Sequence, residues 1–314
     1  MVVREIASER TDLYQFKAEQ KVYNIGGVIV GGDVGENPTV MIGSIFHKGD
    51  SCILDEGTGE IDRKMAEALI KTVEEQSDRT GLQAMLDIVC SIPGAVRDYL
   101  DFCVDATEMP ILVDAVSEEA AIKGIEHSEE MGILDRTIFN SLNPHTSKEI
   151  LEKIKEAEIR SAIALTYSSE AVISYVERVR LLETLIPRVT EAGVRNILVD
   201  TFVMDVPTLG LSCRAIYEVK DRYGYPTGCG AHNAVGSWKS LKRKNDQRLK
   251  LVCGSVVDSL PIAAGADFVF YGPIIGAEYV FTAVGIIDAC YGQVQMEGGK
   301  RLRPDHPRFK MAGL

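Results

Sequence analysis

Eight short apolar segments constrain the fold of this chain most strongly, because each ends on a small or polar residue and precedes a helix-like stretch. They cover residues 40–44, 85–88, 111–114, 137–140, 162–166, 197–200, 228–233 and 268–272. Apolar runs of this length are typical of parallel strands that are buried on both faces. Eight alternating strand–helix units predict an α/β fold, a (β/α)₈ TIM barrel.

The length suits one barrel with short additions at its ends. Such a barrel needs roughly 250 residues, and the chain has 314. We predict a single domain with an N-terminal hairpin cap at 1–39, the barrel at 40–292 and an extended C-terminal arm at 293–314. Apolar stretches on both sides of Gly26–Gly27 predict the β-hairpin. We expect this hairpin to cover the closed bottom of the barrel.

Helix signals lie between the predicted strands. Apolar residues spaced three and four apart predict a helix over 61–77, and helices are also expected over 172–192 and 251–264. Ser117 and the pair Thr146–Ser147 precede acidic residues, which is typical of helix N-caps. Each predicted helix therefore connects two predicted strands.

Charge and composition argue against several classes of partner. The net charge of −12 argues against nucleic acid, which requires a basic face, and means that an anionic ligand has to be attracted by a local site. No apolar run approaches the ~20 residues of a membrane helix, so we expect no direct membrane span. Seven cysteines without a Cys-x-x-Cys pair indicate reduced thiols and a cytoplasmic location.

Polar residues end five of the predicted strands: Asp87, Asp114, Asn140, Asp200 and Asn233. In barrel enzymes the carboxyl ends of the strands carry the chemistry. A carboxylate accepts two parallel donors, such as the amino group and adjacent ring N–H of a pterin, while a carboxamide both donates and accepts. The set therefore suits a flat, neutral, polar ligand such as a pterin ring. The alternative for any single position is that the residue caps the next helix.

At these residues the chain resembles the pterin-binding methyltransferases, barrels that move a methyl group between a methyltetrahydropterin and a corrinoid protein. The motifs are LVDA at 112–115, FNSLN at 139–143, ALT at 164–166, LVD at 198–200 and AHNAV at 231–235. The chain is more specifically similar to the H subunits of tetrahydromethanopterin S-methyltransferases, through the Gly-Gly hairpin, GENP at 35–38 and YGPI at 271–274. The resemblance covers roughly residues 20–290.

The resemblance implies a role for each strand-end residue. Asp114 and Asp200 would hold the donor edge of the pterin, and Asn140 would contact the ring. Asn233 would be the catalytic residue, because its amide oxygen can stabilise the positive charge that develops at the pterin N5. Asp87 would support this polar network.

The chain departs from the family at two places, and at the first of them the first predicted strand ends in Gly43–Ser44 rather than in the acidic opening of the free-standing barrels. His232 precedes the catalytic Asn where free-standing barrels of the family often have Ser, and it either biases the protonation of N5 or packs inertly. Zinc-dependent relatives hold their metal with Cys and His, which makes Cys90, Cys229 and His232 candidates. Because Cys229 and His232 are three apart on one predicted strand, they should point to opposite faces. We expect no metal bound directly to this chain.

We therefore predict a corrinoid-dependent methyltransferase that moves a methyl group between a methylated corrinoid protein and N5 of tetrahydrofolate, in bacterial methylamine or glycine-betaine demethylation. The cobalamin or other corrinoid would be carried by the partner protein, and the chain would form a homodimer. The first alternative is the H subunit of an archaeal tetrahydromethanopterin S-methyltransferase. The second is a non-catalytic docking subunit for a corrinoid protein. Dihydropteroate synthesis ranks low, because basic strand-end residues for pyrophosphate are not evident.

Overall fold

The computed structural model describes residues 13–244 and 246–313, so residues 1–12 of the predicted hairpin cap lie outside the described part. The strands in chain order are β1 (Val22–Ile25), β2 (Val28–Gly31), β3 (Val40–Ile45), β4 (Ile53–Asp55), β5 (Glu60–Ile61), β6 (Gln83–Cys90), β7 (Ile111–Ala115), β8 (Thr137–Leu142), β9 (Ser161–Leu165), β10 (Asn196–Asp200), β11 (Thr227–Cys229) and β12 (Phe268–Pro273). Eight of these, β3 and β6 to β12, form a closed barrel of parallel pairs in chain order, with β12 next to β3. The predicted TIM barrel is confirmed.

Helices connect the barrel strands and form its outer layer. In chain order they are α1 (Arg63–Thr80), α2 (Val96–Ala106), α3 (Glu118–Glu130), α4 (Lys148–Glu156), α5 (Tyr175–Glu191), α6 (Val206–Tyr223), α7 (Asn233–Gly236), α8 (Lys239–Lys244), α9 (Gln247–Ala263), α10 (Ala277–Glu297) and α11 (Pro307–Lys310). The Ser117 and Ser147 side chains accept bonds from the Ala120 and Ile150 amides, which confirms both as N-caps. Helix α1 begins at Arg63, after the N-cap Asp62, and ends at Thr80, before the C-cap Gly81. Both ends lie later in the chain than the predicted bounds of 61 and 77.

The hairpin of β1 and β2 closes the bottom of the barrel. Its Ile25 and Val30 pack into a fully buried apolar layer made by Val40, Ile42, Met85, Leu112, Ile138, Ile163, Leu198 and Phe268. The Gln83 side chain accepts from the Ile29 amide at 2.8 Å and donates to the Ile29 carbonyl at 2.6 Å. The hairpin therefore covers the amino end of the barrel, as predicted.

The seventh strand is shorter than predicted. The expected strand 228–233 is β11 only as far as Cys229, and the chain then turns, with the Asn233 amide donating to the Gly230 carbonyl and the Val235 amide to the His232 carbonyl. Both bonds are local and start α7. The prediction that Cys229 and His232 lie on one strand was therefore wrong, because β11 ends at Cys229 and His232 lies in the turn that follows.

The C-terminal arm is extended only in part. Helix α10 runs to Glu297, past the predicted barrel end at 292, and the tail forms α11, where His306 accepts a bond from the Arg308 amide. By length and composition alone, the stretch Ile274–Glu297 is apolar enough to cross a membrane, which corrects the expectation that no such run exists. In the structure α10 packs on the barrel and buries Asp288, whose carboxylate accepts from the Thr39 amide and hydroxyl at 2.6 and 2.8 Å.

Candidate active site

Inside the barrel, an apolar layer of side chains lies directly below a polar layer. Residues two positions apart on a strand face the same side of the sheet. A strand whose side chain lies in the apolar bottom layer therefore places the side chain two residues later in the next layer, towards the carboxyl end of the barrel. Met85 is followed by Asp87, Leu112 by Asp114, Ile138 by Asn140 and Leu198 by Asp200. The apolar layer thus forms the floor on which the strand-end polar groups lie.

These groups surround one cavity of about 360 Å³, a volume in the range of small-molecule sites. All five residues predicted from the sequence line it: Asp87, Asp114, Asn140, Asp200 and Asn233. Other cavities of about 390 and 520 Å³ lie between α4 and α5 and beside the hairpin, away from these residues. The structure therefore brings the predicted site residues together at the carboxyl end of the barrel.

Helix capping does not explain the carboxylates. The helices after β7, β8 and β10 are capped by Ser117, Ser147 and Asp205, whose side chains accept bonds from backbone amides of the first turn. Helix α2 follows Ala95 and has no side-chain cap. Asp87, Asp114, Asn140 and Asp200 are therefore available to the cavity.

Asp87 is the centre of a hydrogen-bond network on the cavity floor. It is 2% exposed, and its carboxylate accepts a bond from the Ser44 hydroxyl at 2.7 Å and from the Asn140 amide nitrogen at 3.0 Å. Burial raises the pKa of Asp87, while these two bonds oppose the rise. The network also orients Asn140, since a nitrogen that donates to Asp87 leaves the amide oxygen free to accept.

Burial also disfavours ionisation of the other two carboxyl groups of the cavity. Burial raises the pKa of Asp200 to about 6, although its carboxylate accepts a bond from the Phe202 amide. Burial first, and then the charge of Asp87, raise the pKa of Asp114 well above its ordinary value. Across the described residues the Asp114 carboxyl has no hydrogen-bond partner. A ligand that donates to these oxygens would favour their ionised forms.

Asn233 and His232 lie at the rim of the cavity, in the turn after β11. Asn233 is exposed, and its side-chain nitrogen lies 3.2 Å from the position that a Cβ on Gly230 would take. The His232 ring lies against the backbone of Gly272, where a Cβ would be 2.4 Å from the ring. Gly272 also has a φ of +76°, which side chains rarely adopt, so glycine is needed beside His232 for two reasons.

Arg178 is a residue that sequence analysis missed. It is fully buried on α5, and its guanidinium donates to the carbonyls of Ala171, Val172, Thr201, Phe202 and Thr208. It also lies 3.9 Å from the centre of the Phe202 ring. Arg178 therefore holds the loop that follows Asp200. The sequence carries a signal for its burial only, because Arg178 shares the three-four spacing of the buried Leu182 and Leu185.

Two aromatic side chains of the cavity were also missed. Tyr167 and Phe202 line it and meet edge to face, with ring centres 5.2 Å apart. Phe202 has a φ of +39°, an uncommon backbone conformation outside glycine. Each follows a strand end by one or two residues, which was the available signal. The rings give the polar cavity one apolar wall.

Nothing in this arrangement resembles a metal site. Over residues 13–244 and 246–313, no group of three or more His, Cys, Asp or Glu side chains is arranged to hold a metal ion. Of the zinc candidates, Cys90 and Cys229 are fully buried, whereas His232 lies at the rim of the cavity. The arrangement can accept hydrogen bonds from a flat ligand and present an amide at its rim.

The chain is similar to known proteins over most of its length. The family model of the tetrahydromethanopterin S-methyltransferase MtrH subunit matches residues 18–302. The H subunit of this enzyme from Methanothermobacter thermautotrophicus is 35% identical over 95% of this chain and 100% of its own length. The H subunit from Methanopyrus kandleri is 32% identical over 86% of this chain and 90% of its own length. These relatives favour the H-subunit interpretation over the bacterial demethylation pathway.

Among solved structures, a dihydropteroate synthase from Xanthomonas albilineans has the same fold. It superposes with a TM-score of 0.59 at 15% sequence identity, covering 88% of this chain and 98% of its own. At this identity the likeness concerns the barrel alone. The match over nearly the whole sequence, together with the full-length relatives, establishes that the chain belongs to the family of the tetrahydromethanopterin S-methyltransferase MtrH subunit.

Proposed function

We propose that this chain binds a tetrahydropterin in the strand-end cavity and transfers a methyl group between its N5 and a corrinoid carried by a separate protein. The observation that carries the proposal is the convergence of three carboxyl and two carboxamide groups on one cavity of about 360 Å³ in a chain of this methyltransferase family. The donor edge of a pterin needs such acceptors.

Asp114 and Asp200 are the proposed acceptors for the pterin amino group and ring N–H. The Asp114 carboxyl has no hydrogen-bond partner among the described residues and is available to accept. The Asp200 carboxylate accepts a bond from the Phe202 amide at 2.7 Å, which orients it. Asn140, oriented by Asp87, offers its oxygen to the ring. Stacking surface comes from Tyr167 and Phe202. These residues support binding of a flat bicyclic ring rather than a sugar or a peptide.

Asn233 is the proposed catalytic residue. In the direction in which the methyl leaves N5, N5 first takes up a proton and becomes positive; the N–C bond then breaks, its electron pair stays on nitrogen, and the methyl passes to the cobalt(I) of the partner's corrinoid. In the reverse direction, N5 supplies the pair that bonds the methyl and becomes positive. An amide oxygen at the cavity rim stabilises either positive species without taking a proton itself. The exposed position of Asn233 leaves the proton to be exchanged with water.

The pterin that fits the family is tetrahydromethanopterin, since the H subunits among the relatives belong to enzymes named for it. Tetrahydrofolate is the second candidate. The corrinoid is a substrate on the partner protein, where its cobalt accepts or supplies the methyl group.

The decisive experiment mixes the purified chain with a methylated corrinoid protein and either tetrahydropterin, and follows the cobalt(I) absorbance. Cobalt(I) should appear with one pterin and only when the chain is present. Failure with both pterins, while calorimetry shows that the pterin binds, would identify a docking subunit instead. Absence of pterin binding would reject the proposal entirely.

The proposal includes a homodimer in the cytoplasm. Leu251, Val252, Val256 and Leu260 of α9 are each at least 41% exposed, and such apolar faces are rare on monomers. Light scattering should give a dimer mass for the wild type and a monomer mass for Val256→Glu; a monomeric wild type would contradict this part. The seven cysteines are unpaired, which supports a reducing compartment.

A further inference from the structure

A run of positively charged residues follows Trp238 in a chain whose net charge is −12. Residues 239–250 contain six Lys and Arg against one Asp. Lys239, Arg243, Lys244 and Arg248 are exposed, and within the described residues none of these four has an ion-pair partner. Elsewhere on the surface exposed cations such as Lys123 and Arg97 are paired with Glu. This basic segment is therefore free to attract an anion.

An apolar groove leads to the basic segment. Its volume is about 440 Å³. The residues that line it include Asp205, Val206, Ala234, Trp238 and Lys239. Trp238, the single tryptophan of the chain, is 42% exposed, and Val206 is 45% exposed. Two large side chains thus offer apolar surface to water where the groove meets the first lysine of the segment.

The groove adjoins the strand-end cavity at two segments, the one after β10 and the one after β11. Met204 and Asn233 line the cavity, and the residues that follow them, Asp205 and Ala234, line the groove. Moving outward from the barrel axis, a ligand would meet polar acceptors, then an apolar groove, then exposed cations. Folate-type and methanopterin-type coenzymes carry the same order of chemistry: a polar bicyclic head, an arylamine and an anionic tail.

We propose that this groove and the basic segment bind the arylamine and the anionic tail of the tetrahydropterin, an inference that rests on the proposed function. Trp238 packs on the arylamine ring, and Lys239, Arg243 and Lys244 attract the carboxylates or phosphate of the tail. Because the whole molecule is acidic, its overall field repels this tail, and local cations have to overcome that repulsion. The segment therefore selects pterins with an anionic tail.

The test compares 6-methyltetrahydropterin, which has only the head, with tetrahydrofolate and its triglutamate. Calorimetry should show tighter binding with each added carboxylate, and a decline with salt for the tailed ligands. The triple variant Lys239→Gln/Arg243→Gln/Lys244→Gln should bind the triglutamate about tenfold more weakly. Its affinity for 6-methyltetrahydropterin should equal that of the wild type. Lys64→Gln/Lys71→Gln/Lys155→Gln, which removes three exposed cations from α1 and α4, is the matched control.

The single tryptophan gives an independent readout. Tetrahydrofolate should change the Trp238 fluorescence, whereas 6-methyltetrahydropterin at equal occupancy should not. Trp238→Ala should weaken tetrahydrofolate binding about fivefold without affecting the head-only ligand. Circular dichroism of both variants establishes that the fold is retained, so a loss of binding reports on the groove.

Several outcomes would overturn the inference. One is a wild type that binds the head and the triglutamate equally well, and another is a triple variant with unchanged triglutamate affinity. If the triple variant binds every pterin normally but slows transfer from a methylated corrinoid protein, the segment docks an acidic protein face instead. A wild type that shows the tail dependence but forms no cobalt(I) would reject the proposed function while supporting this inference.

Discussion

Asp87 and Asp114 face the same cavity from neighbouring strands, and the charge of Asp87 adds to burial in raising the pKa of Asp114. In the β6–β7 ladder Asp87 lies opposite Leu112, so Asp114 is its diagonal neighbour on the same face. Two carboxyl groups in this position resist being ionised together. A ligand with N–H donors would favour the carboxylate forms and so oppose the effect of burial on these pKa values.

Binding of a tetrahydropterin should consequently release protons. The proposed pterin donors would favour the carboxylate forms of Asp114 and Asp200, whose pKa values are raised by burial. The apparent binding enthalpy should differ between buffers of different ionisation enthalpy at pH 6. Asp114→Asn should reduce this difference. An enthalpy that is the same in every buffer would contradict the assignment of these carboxyl groups.

Asp114→Ala should weaken tetrahydropterin binding by about 1.5–3 kcal/mol, the contribution of a hydrogen bond to a charged group. Its thermal stability should not decrease, because Ser117 rather than Asp114 caps α3. Isothermal calorimetry measures the first effect and a melting curve the second. Asp105→Ala, at an exposed position on α2, is the control. Unchanged affinity in Asp114→Ala would remove this residue from the site.

Asp200→Asn should become more stable relative to the wild type as the pH rises. The folded pKa of Asp200 is about 6 against an ordinary 3.8, so its stabilising contribution is complete below about pH 4 and is lost as the pH passes about 6. The full change is on the order of 3 kcal/mol. Guanidinium unfolding of both proteins between pH 4 and 8 measures it. A constant difference across this range would show that Asp200 is not desolvated.

Asn233→Ala should lower the turnover number by roughly 10²-fold with little change in pterin affinity, because charge appears at N5 only during transfer. Asn233→Asp adds a group that binds a proton, so the pH dependence of the rate should shift. Stopped-flow detection of cobalt(I) gives both values, with Asn24→Ala on the hairpin as the control. Normal turnover in Asn233→Ala would exclude this residue and leave His232 as the next candidate.

Arg178→Met should destabilise the fold by about 3 kcal/mol or more, since several buried carbonyls lose a charged donor at once. Arg178→Lys should recover part of the stability but not the geometry of the Phe202 loop. Pterin affinity of the Lys variant should therefore decrease even at temperatures where it is folded. Arg180→Met, an exposed neighbour paired with Glu177, should have neither effect. Full pterin affinity in Arg178→Lys would show that the loop does not depend on this guanidinium.

The barrel and the polar strand ends were predictable because both depend on local patterns. Apolar runs ending on Asp114 or Asp200 indicate a buried strand and the point where it ends, and the period of two then places the side chains in one layer. The end of β11 was harder to predict from the sequence. Gly228, Gly230 and Ala231 are small, so they show no pattern of buried side chains that would distinguish a strand from a helix. Only the local bonds of the turn decide that Asn233 starts a helix.

The role of Arg178 could not be derived from the sequence, since its partners lie in the loop before α5, in the loop after β10 and in the first turn of α6. A buried cation is recognised by which carbonyls converge on it, and that depends on tertiary packing. The same holds for Gly272, whose need for glycine becomes visible only when the His232 ring lies against it. Residues that position a site are thus harder to predict than residues that line it.

The hairpin that closes the bottom of the barrel also bears on the order in which the two proposed substrates would bind. Because Ile25 and Val30 complete the apolar layer, the cavity opens at the carboxyl face, and both proposed substrates would have to enter there. In the proposed reaction the pterin would lie on the cavity floor and the corrinoid protein would cover it. The pterin would therefore have to arrive before the corrinoid protein and leave after it, so the proposal implies a compulsory-order reaction.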